Sequence, residues 1–167
     1  VMPYQVGVMV VARDGKRYLK WDRETGVIRH SRPRPFVLPS VKMDTFELHQ
    51  DQGAVRWYLD VCEHRGSYHY IQGFAFKQGN DHHHYEKKLI LLDELGQAQA
   101  FDVYLDERVD VAYSFLQEHF LFYTGYVCYV FDNALEQGKR YDVILRLKNR
   151  FDETDVLDVV TGKQICL

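Results

Sequence analysis

Apolar and polar residues alternate along several segments of the chain. In the clearest of them, 139–148, four apolar side chains recur at every second position: Tyr141, Val143, Leu145 and Leu147. A period of two places such side chains on one face of an extended strand. Burying each of them is worth about 1.5–3 kcal/mol. The pattern therefore predicts a strand with one buried face and one solvated face.

The same periodicity predicts further strands. They cover residues 55–62, 67–76, 85–93, 97–105, 126–131, 156–160 and 164–167. The last two are predicted to meet at a turn at Thr161-Gly162. The centre of 85–93 is continuously apolar, as expected for a strand covered on both faces. Gly73 inside 67–76 indicates a bulge or a close approach of two backbones.

The first forty residues predict a β-hairpin and a linker. The predicted strands are 4–12 and 16–21, joined at Asp14-Gly15, followed by a short strand at 27–30. Residues 31–40 hold three of the four prolines, which remove the N–H donors that a sheet needs. We therefore predict an N-terminal hairpin segment with a Pro-rich linker over 1–40, and a β-sandwich module over 41–167.

One segment departs from the period of two. In 110–119, Val111, Phe115 and Leu116 lie at helical spacing, and Asp110 is placed to cap the helix start. We predict one short helix that bridges two sheets. The remaining connections are too short for the crossover helices of a parallel sheet. The predicted fold is all-β, an antiparallel β-sandwich of jelly-roll or Ig-like type with this helix and the N-terminal hairpin segment.

Composition narrows the classes of function. Of 167 residues, 46% are hydrophobic, which is enough for a core. The net charge of −3 argues against a nucleic-acid partner, which requires concentrated basic charge. No apolar run approaches the roughly 20 residues of a membrane span. The three cysteines form no close pair, which favours free thiols in a reducing compartment and a cytoplasmic location.

A run of three histidines, His82-His83-His84, is the clearest metal-like pattern. In an extended chain His82 and His84 project to the same side, and paired imidazoles suit zinc or nickel. With Glu86, they form the alternative metal site of a cupin-like, double-stranded-barrel enzyme. The polar residues at 78–81 favour a solvated loop instead. We therefore predict no cofactor, and keep the metal-dependent enzyme as an alternative.

Signatures of catalysis are weak. The chain has no Gly-x-Ser-x-Gly elbow and no glycine-rich phosphate loop. Cys62 and His64 share one face of a predicted strand, but no third group accompanies them. We therefore predict no catalytic residue.

The predicted ligand site lies around the helix. Arg108 and Asp110 flank its start, and Tyr123 and Tyr126 open the next strand. A guanidinium, a carboxylate and aromatic rings are the groups that a sugar site uses. We predict these four as ligand-binding residues. The alternative is an Arg–Asp pair that holds the crossover in place over a packed tyrosine.

Five short motifs follow one another along the chain. They are Tyr70-Ile-Gln-Gly-Phe-Ala-Phe76, Tyr85-Glu-Lys-Lys-Leu-Ile-Leu91, Arg108-Val-Asp-Val111, Tyr123-Thr-Gly-Tyr126 and Leu135-Glu-Gln-Gly-Lys-Arg-Tyr141. Over about 54–167 this order resembles the accessory β-sandwich modules of bacterial surface-polysaccharide and teichoic-acid type glycosyltransferases. The resemblance implies a non-catalytic carbohydrate-binding accessory module, whose partner is a glycan or a glycosyltransferase domain. Those modules tend to carry a Tyr-Asp-Tyr-Ser-Gly-Phe-like run, where this chain has Phe122-Tyr-Thr-Gly-Tyr126.

Aromatic residues are abundant, with 12 Tyr, 10 Phe and 2 Trp. Tyrosine suits a half-buried sheet, a sugar-stacking surface and a protein-binding surface. A protein-interaction or oligomerisation module is therefore a second alternative, in which the aromatic strands form an interface.

Overall fold

The N-terminal part of the chain contains a hairpin. The structure, a computed structural model, describes residues 18–21, 28–31 and 40–167. Strand β1 (Tyr18–Trp21) pairs antiparallel with β2 (Ile28–Ser31). The predicted strand at 4–12, its turn and the proline-rich segment lie outside the described residues.

The chain divides into two compact units, Val1–Phe36 and Val37–Leu167. The second unit, over 40–167, consists mainly of strands. They are β3 (Ser40–Met43), β4 (Val55–Arg65), β5 (Tyr68–Lys77), β6 (Tyr85–Asp93), β7 (Ala98–Asp102), β8 (Tyr104–Asp106), β9 (Gly125–Phe131), β10 (Arg140–Asn149) and β11 (Val156–Cys166). The helical elements in this range are α1 (Val109–Ser114) and single 3-10 turns at His82–His84, Leu121–Tyr123 and Asp132–Ala134.

These strands form two antiparallel sheets. The five-stranded sheet has the order β11-β10-β6-β7-β3, and the four-stranded sheet has the order β4-β5-β9-β8. One hydrophobic core draws residues from both sheets, including Leu89 and Leu145 from the first and Ile71 and Cys128 from the second. The alternating apolar residues of β10 all belong to this core, as their period of two requires. The prediction of an all-β antiparallel sandwich is confirmed.

Segment 97–105 is two strands rather than one. Strand β7 pairs with β6, whereas β8 pairs with β9 in the other sheet, so the chain changes sheets at Val103. The C-terminal strand β11, in contrast, is continuous where a turn was predicted. Its Gly162 has a φ of +70° beside a break in register between Asp142 and Ile144 of β10, which identifies a bulge.

The helix α1 connects two strands of the same sheet, β8 and β9, and so does not bridge the two sheets. It packs on the outer face of the four-stranded sheet, where Val111 and Leu121 contact Phe76. Arg108, not Asp110, occupies the N-cap position, and Asp110 lies in the first turn. No helix within the described ranges has both the length and the apolar character needed to cross a membrane.

Gly73 of β5 confirms the predicted close approach. A Cβ at this position would collide with the backbone oxygen of Tyr58 and would lie 2.7 Å from the hydroxyl oxygen of Tyr126. Beside it, the register of β4 shifts between Leu59 and Val61. Because Gly73 has no side chain, the Tyr126 ring can pack against its backbone in the core.

Candidate functional site

Within residues 40–167, other elements cover the outer face of the four-stranded sheet over only part of its length. Near one end, α1 and the following 3-10 turn pack over Phe74 and Phe76. The rest of this face carries aromatic side chains, because even positions of β5 and odd positions of β9 point outward. We call this surface the aromatic face; it comprises Tyr68, Tyr70, Tyr104, Tyr129 and Phe131, each partly exposed.

The rings of the aromatic face interlock around Tyr129. Its ring centroid lies 5.6 Å from that of Tyr68, 5.5 Å from that of Tyr70 and 5.9 Å from that of Tyr104. Phe131 extends the set, 5.6 Å from Tyr68. These separations lie in the range in which tilted and edge-on aromatic pairs attract each other. The result is an ordered apolar surface that loses little side-chain freedom when a ligand covers it.

Polar groups lie directly beside these rings. The Tyr70 hydroxyl donates to Gln72 Oε1 at 2.8 Å, and Gln72 Nε2 donates to Asp106 Oδ2 at 2.9 Å. At another edge, the Arg65 guanidinium lies 4.2 Å from the centroid of the Tyr70 ring and is hydrogen-bonded to Glu63. The surface thus combines flat apolar areas with oriented hydrogen-bonding groups.

Arg108 and Asp110, two of the predicted ligand residues, bind each other. Arg108 donates to the two Asp110 carboxylate oxygens at 2.8 and 2.6 Å and to Asp60 Oδ2 at 2.5 Å. Its guanidinium also lies over the Phe74 ring, 5.0 Å from the centroid. The hydrogen bonds from Arg108 lower the pKa of Asp110 to about 2. We call residues 109–124, which hold α1 and the following 3-10 turn, the covering segment; these contacts tie its start to the sheet.

The two predicted tyrosines have different environments. Tyr123 belongs to the 3-10 turn of the covering segment and is about half exposed. Tyr126 is on the inner face of the sheet with 0% exposure, and burial raises the pKa of its hydroxyl. The four predicted residues therefore do not share one surface, and the Tyr126 ring offers no accessible area for stacking.

Replacing Arg108 with methionine is expected to loosen the covering segment. The variant loses charge-assisted hydrogen bonds to the Asp110 carboxylate, which is 65% exposed, and to the Asp60 carboxylate, which is 30% exposed; we expect this to cost about 1–3 kcal/mol of unfolding free energy. Hydrogen exchange measured by mass spectrometry should show faster exchange over 109–124 and unchanged exchange in β10. Arg65→Met, which removes an exposed pair with Glu63, is the matched control. Unchanged exchange over 109–124 would contradict this structural role.

The histidine run does not form the metal set considered above. The segment is a 3-10 turn whose start is capped by Asp81, which accepts from the His83 N–H at 2.9 Å. His82 is buried, and this burial lowers its pKa to about 4, whereas His84 and Glu86 are exposed. A turn rotates successive side chains to different directions, so His82, His84 and Glu86 do not converge. The potential ligands that do lie close together in this segment are the consecutive residues Asp81, His82 and His83.

An open cleft of about 430 Å³ lies beside the five-stranded sheet, lined in part by Lys42, Gln99 and Tyr141. Its buried acid, Asp93, already accepts from Lys139 Nζ at 3.1 Å and from the backbone N–H groups of Leu95 and Gln97. These bonds hold the Asp93 carboxylate in the turn that follows β6.

Comparison of the chain with protein-family models, with curated proteins and with solved structures found no match. The resemblance to glycosyltransferase accessory modules therefore stays a prediction. A functional assignment has to rest on the chemistry of the chain itself.

Proposed function

We propose that the protein is a non-catalytic carbohydrate-binding module associated with bacterial cell-surface polysaccharide synthesis, and that it binds glycan on the aromatic face. The observation that carries the proposal is the set of interlocked, partly exposed rings on the part of the four-stranded sheet that α1 and the rest of residues 40–167 leave uncovered. The sequence resemblance, which points to an accessory module of a glycosyltransferase, supports the same function.

The chemistry of the aromatic face matches that of a sugar. One face of a pyranose ring presents C–H groups that pack on aromatic rings, while its edge presents hydroxyls. Gln72 and Asp106 lie beside the rings and offer hydrogen-bonding groups for such hydroxyls. Tyr129 meets the rings of Tyr68, Tyr70 and Tyr104 at interplanar angles of 68°, 57° and 72°. Rings at such different inclinations suit successive residues of a polymer more than one isolated sugar.

The expected affinity is low. Two or three stacked sugar rings give a dissociation constant of about 1 mM, roughly −4 kcal/mol. This is sufficient for an accessory module, because tethering to an enzyme raises the local concentration of the polymer. Its role would be to keep a polymerising enzyme on its product.

Titration of the isotope-labelled protein with teichoic-acid type and other surface polysaccharides, followed by NMR, tests the proposal. Chemical-shift changes are expected in β5, β8 and β9 around Tyr70, Tyr104 and Tyr129. Tyr129→Ala removes the central ring and should weaken binding about tenfold. Tyr113→Ala, which truncates a 70% exposed ring on the covering helix, is the control and should bind like the parent.

Two outcomes would count against glycan binding. The first is the absence of shift changes on the aromatic face with every polysaccharide tested. The second is self-association of the parent protein that Tyr129→Ala abolishes, with no glycan bound by either protein. The second outcome would assign the aromatic face to the oligomerisation alternative.

A further inference from the structure

The turn between β4 and β5 brings together two imidazoles and a carboxylate. His64 and His69 face each other across the hairpin, with ring centroids 4.7 Å apart. Asp132 lies at the start of the 3-10 turn that follows β9, and its two oxygens are 3.0 and 3.2 Å from His64 Nε2. One potential ligand atom from each of the three residues lies within 4.8 Å of the other two.

His69 is the unusual member of this group. Its side chain is on the inner face of β5 with 6% exposure, and its Nε2 has no hydrogen-bond partner in the described part of the chain. Burial, and to a smaller extent the charge of His64, lower the pKa of His69. A buried polar atom without a partner is unfavourable unless something binds it.

We propose that His64, His69 and Asp132 bind a divalent transition-metal ion, for which zinc fits best. Two imidazoles and one carboxylate are typical zinc ligands, whereas calcium and magnesium prefer sites made of oxygen atoms. In a tetrahedral zinc site with bonds of about 2.0–2.1 Å, ligand atoms lie roughly 3.3 Å apart. His64 Nε2 and the Asp132 oxygens are already near that separation, at 3.0 and 3.2 Å. His69 then needs only a side-chain adjustment, and water completes the fourth position.

The proposed ion would link three parts of the four-stranded sheet. It would join the ends of β4 and β5 to the turn after β9, next to Tyr68 and Phe131 of the aromatic face. The ion would therefore hold this end of the aromatic face in place. The site is separate from the histidine run at 82–84.

Zinc titration of the protein, expressed without a histidine tag and dialysed against chelator, tests the proposal. Calorimetry is expected to show one Zn²⁺ per chain, and zinc should raise the unfolding temperature. Substitution with Co²⁺ should give the intense visible absorption of a tetrahedral complex. His64→Ala and Asp132→Asn change exposed or partly exposed side chains and are each expected to weaken binding at least about tenfold.

His83→Ala is the matched control, because it removes an exposed imidazole from the other histidine group. It is expected to bind zinc like the parent protein. Circular dichroism and unfolding without zinc establish that each variant is folded. The proposal is overturned if the folded parent binds no stoichiometric zinc, or if His64→Ala and Asp132→Asn bind as the parent does. Loss of binding in His83→Ala alone would place the ion at the histidine run instead.

Discussion

Replacing Arg146 with methionine is expected to lower the free energy of unfolding by about 3–5 kcal/mol. The side chain of its partner, Asp158, is 0% exposed. Arg146 donates to the two carboxylate oxygens of Asp158 at 2.7 Å each, and the His49 backbone N–H donates at 2.8 Å. Without the guanidinium, the buried carboxylate of Asp158 loses its cationic partner, and an uncompensated buried acid is strongly unfavourable.

Arg146 also holds a loop segment against the five-stranded sheet. It donates to the backbone oxygen of Glu47 at 2.7 Å and lies 4.9 Å from the centroid of the Phe46 ring. Phe46 in turn packs against the cluster of Ile90 and Ile144 on the outer face of this sheet. The substitution should therefore also expose part of that outer face.

Urea denaturation at pH 7 measures the effect of Arg146→Met. Arg65→Met is the matched control, because its ion pair with Glu63 is exposed and is expected to contribute at most about 1 kcal/mol. Asp158→Asn in the Arg146→Met background should recover part of the loss, since it removes the uncompensated charge. A loss below about 1 kcal/mol in Arg146→Met would contradict the assigned role.

The second large effect has the opposite sign. Replacing Lys87 with methionine is expected to raise the free energy of unfolding at pH 7 by about 3 kcal/mol. Lys87 lies on the inner face of β6 between Tyr85 and Leu89 and is 5% exposed. Burial, with a contribution from the like charge of Arg150, lowers its pKa from 10.5 to about 8. Methionine has a similar length and no charge to desolvate.

The pH dependence of this effect follows from the difference between the pKa of Lys87 in the folded and in the unfolded state. Between about pH 8 and 10.5 the unfolded state binds the Lys87 proton and the folded state does not, so this residue makes stability rise with pH. Below about pH 8 both states are protonated, and the full penalty applies. Above pH 10.5 both states are neutral, and the penalty is absent. The stabilisation by methionine should therefore be largest at pH 7 and fall through this window.

Urea midpoints at pH 7 and pH 10 test both statements. Lys88→Met is the matched control, because the neighbouring Lys88 lies on the outer face, is about a third exposed and pairs with Asp102. Groups other than Lys87 that titrate near pH 10 are shared by the parent and the variant, so they cancel in the comparison. Destabilisation by Lys87→Met, or a difference between variant and parent that does not change with pH, would contradict the prediction.

Most strands could be located from the sequence because side-chain periodicity is a local property. The prediction of 85–93 coincides with β6 (Tyr85–Asp93), and that of 139–148 differs from β10 by one residue at each end. The exchange of sheets at Val103 could not be located, because the alternation of side chains continues across a change of hydrogen-bonding partner. The bulge at Gly162 resembles a turn in sequence because both need a residue with a positive φ, which glycine adopts readily.

The candidate sites depend more than the strands do on contacts between residues far apart in the sequence. The aromatic character of 67–76 is visible in the sequence, and the short turn at Gly66 brings His64 opposite His69. Asp132 joins these histidines only because β9 pairs with β5. Likewise, Tyr126 is buried because it lies in the core between the two sheets. Within residues 40–167, the aromatic face stays partly exposed because α1 covers a different part of the same outer face.

Local patterning therefore accounts for where most strands after residue 54 lie and for which side chains of β6 and β10 point inward. The order of the strands, the face that α1 covers and the residues that meet at the turn of β4 and β5 were decided in the folded molecule. The physical reason is that alternation reports only the direction of neighbouring side chains. Which elements pack together depends on the burial and pairing of residues far apart in the chain. The free energy of the whole fold, and not of any one segment, therefore decides the arrangement.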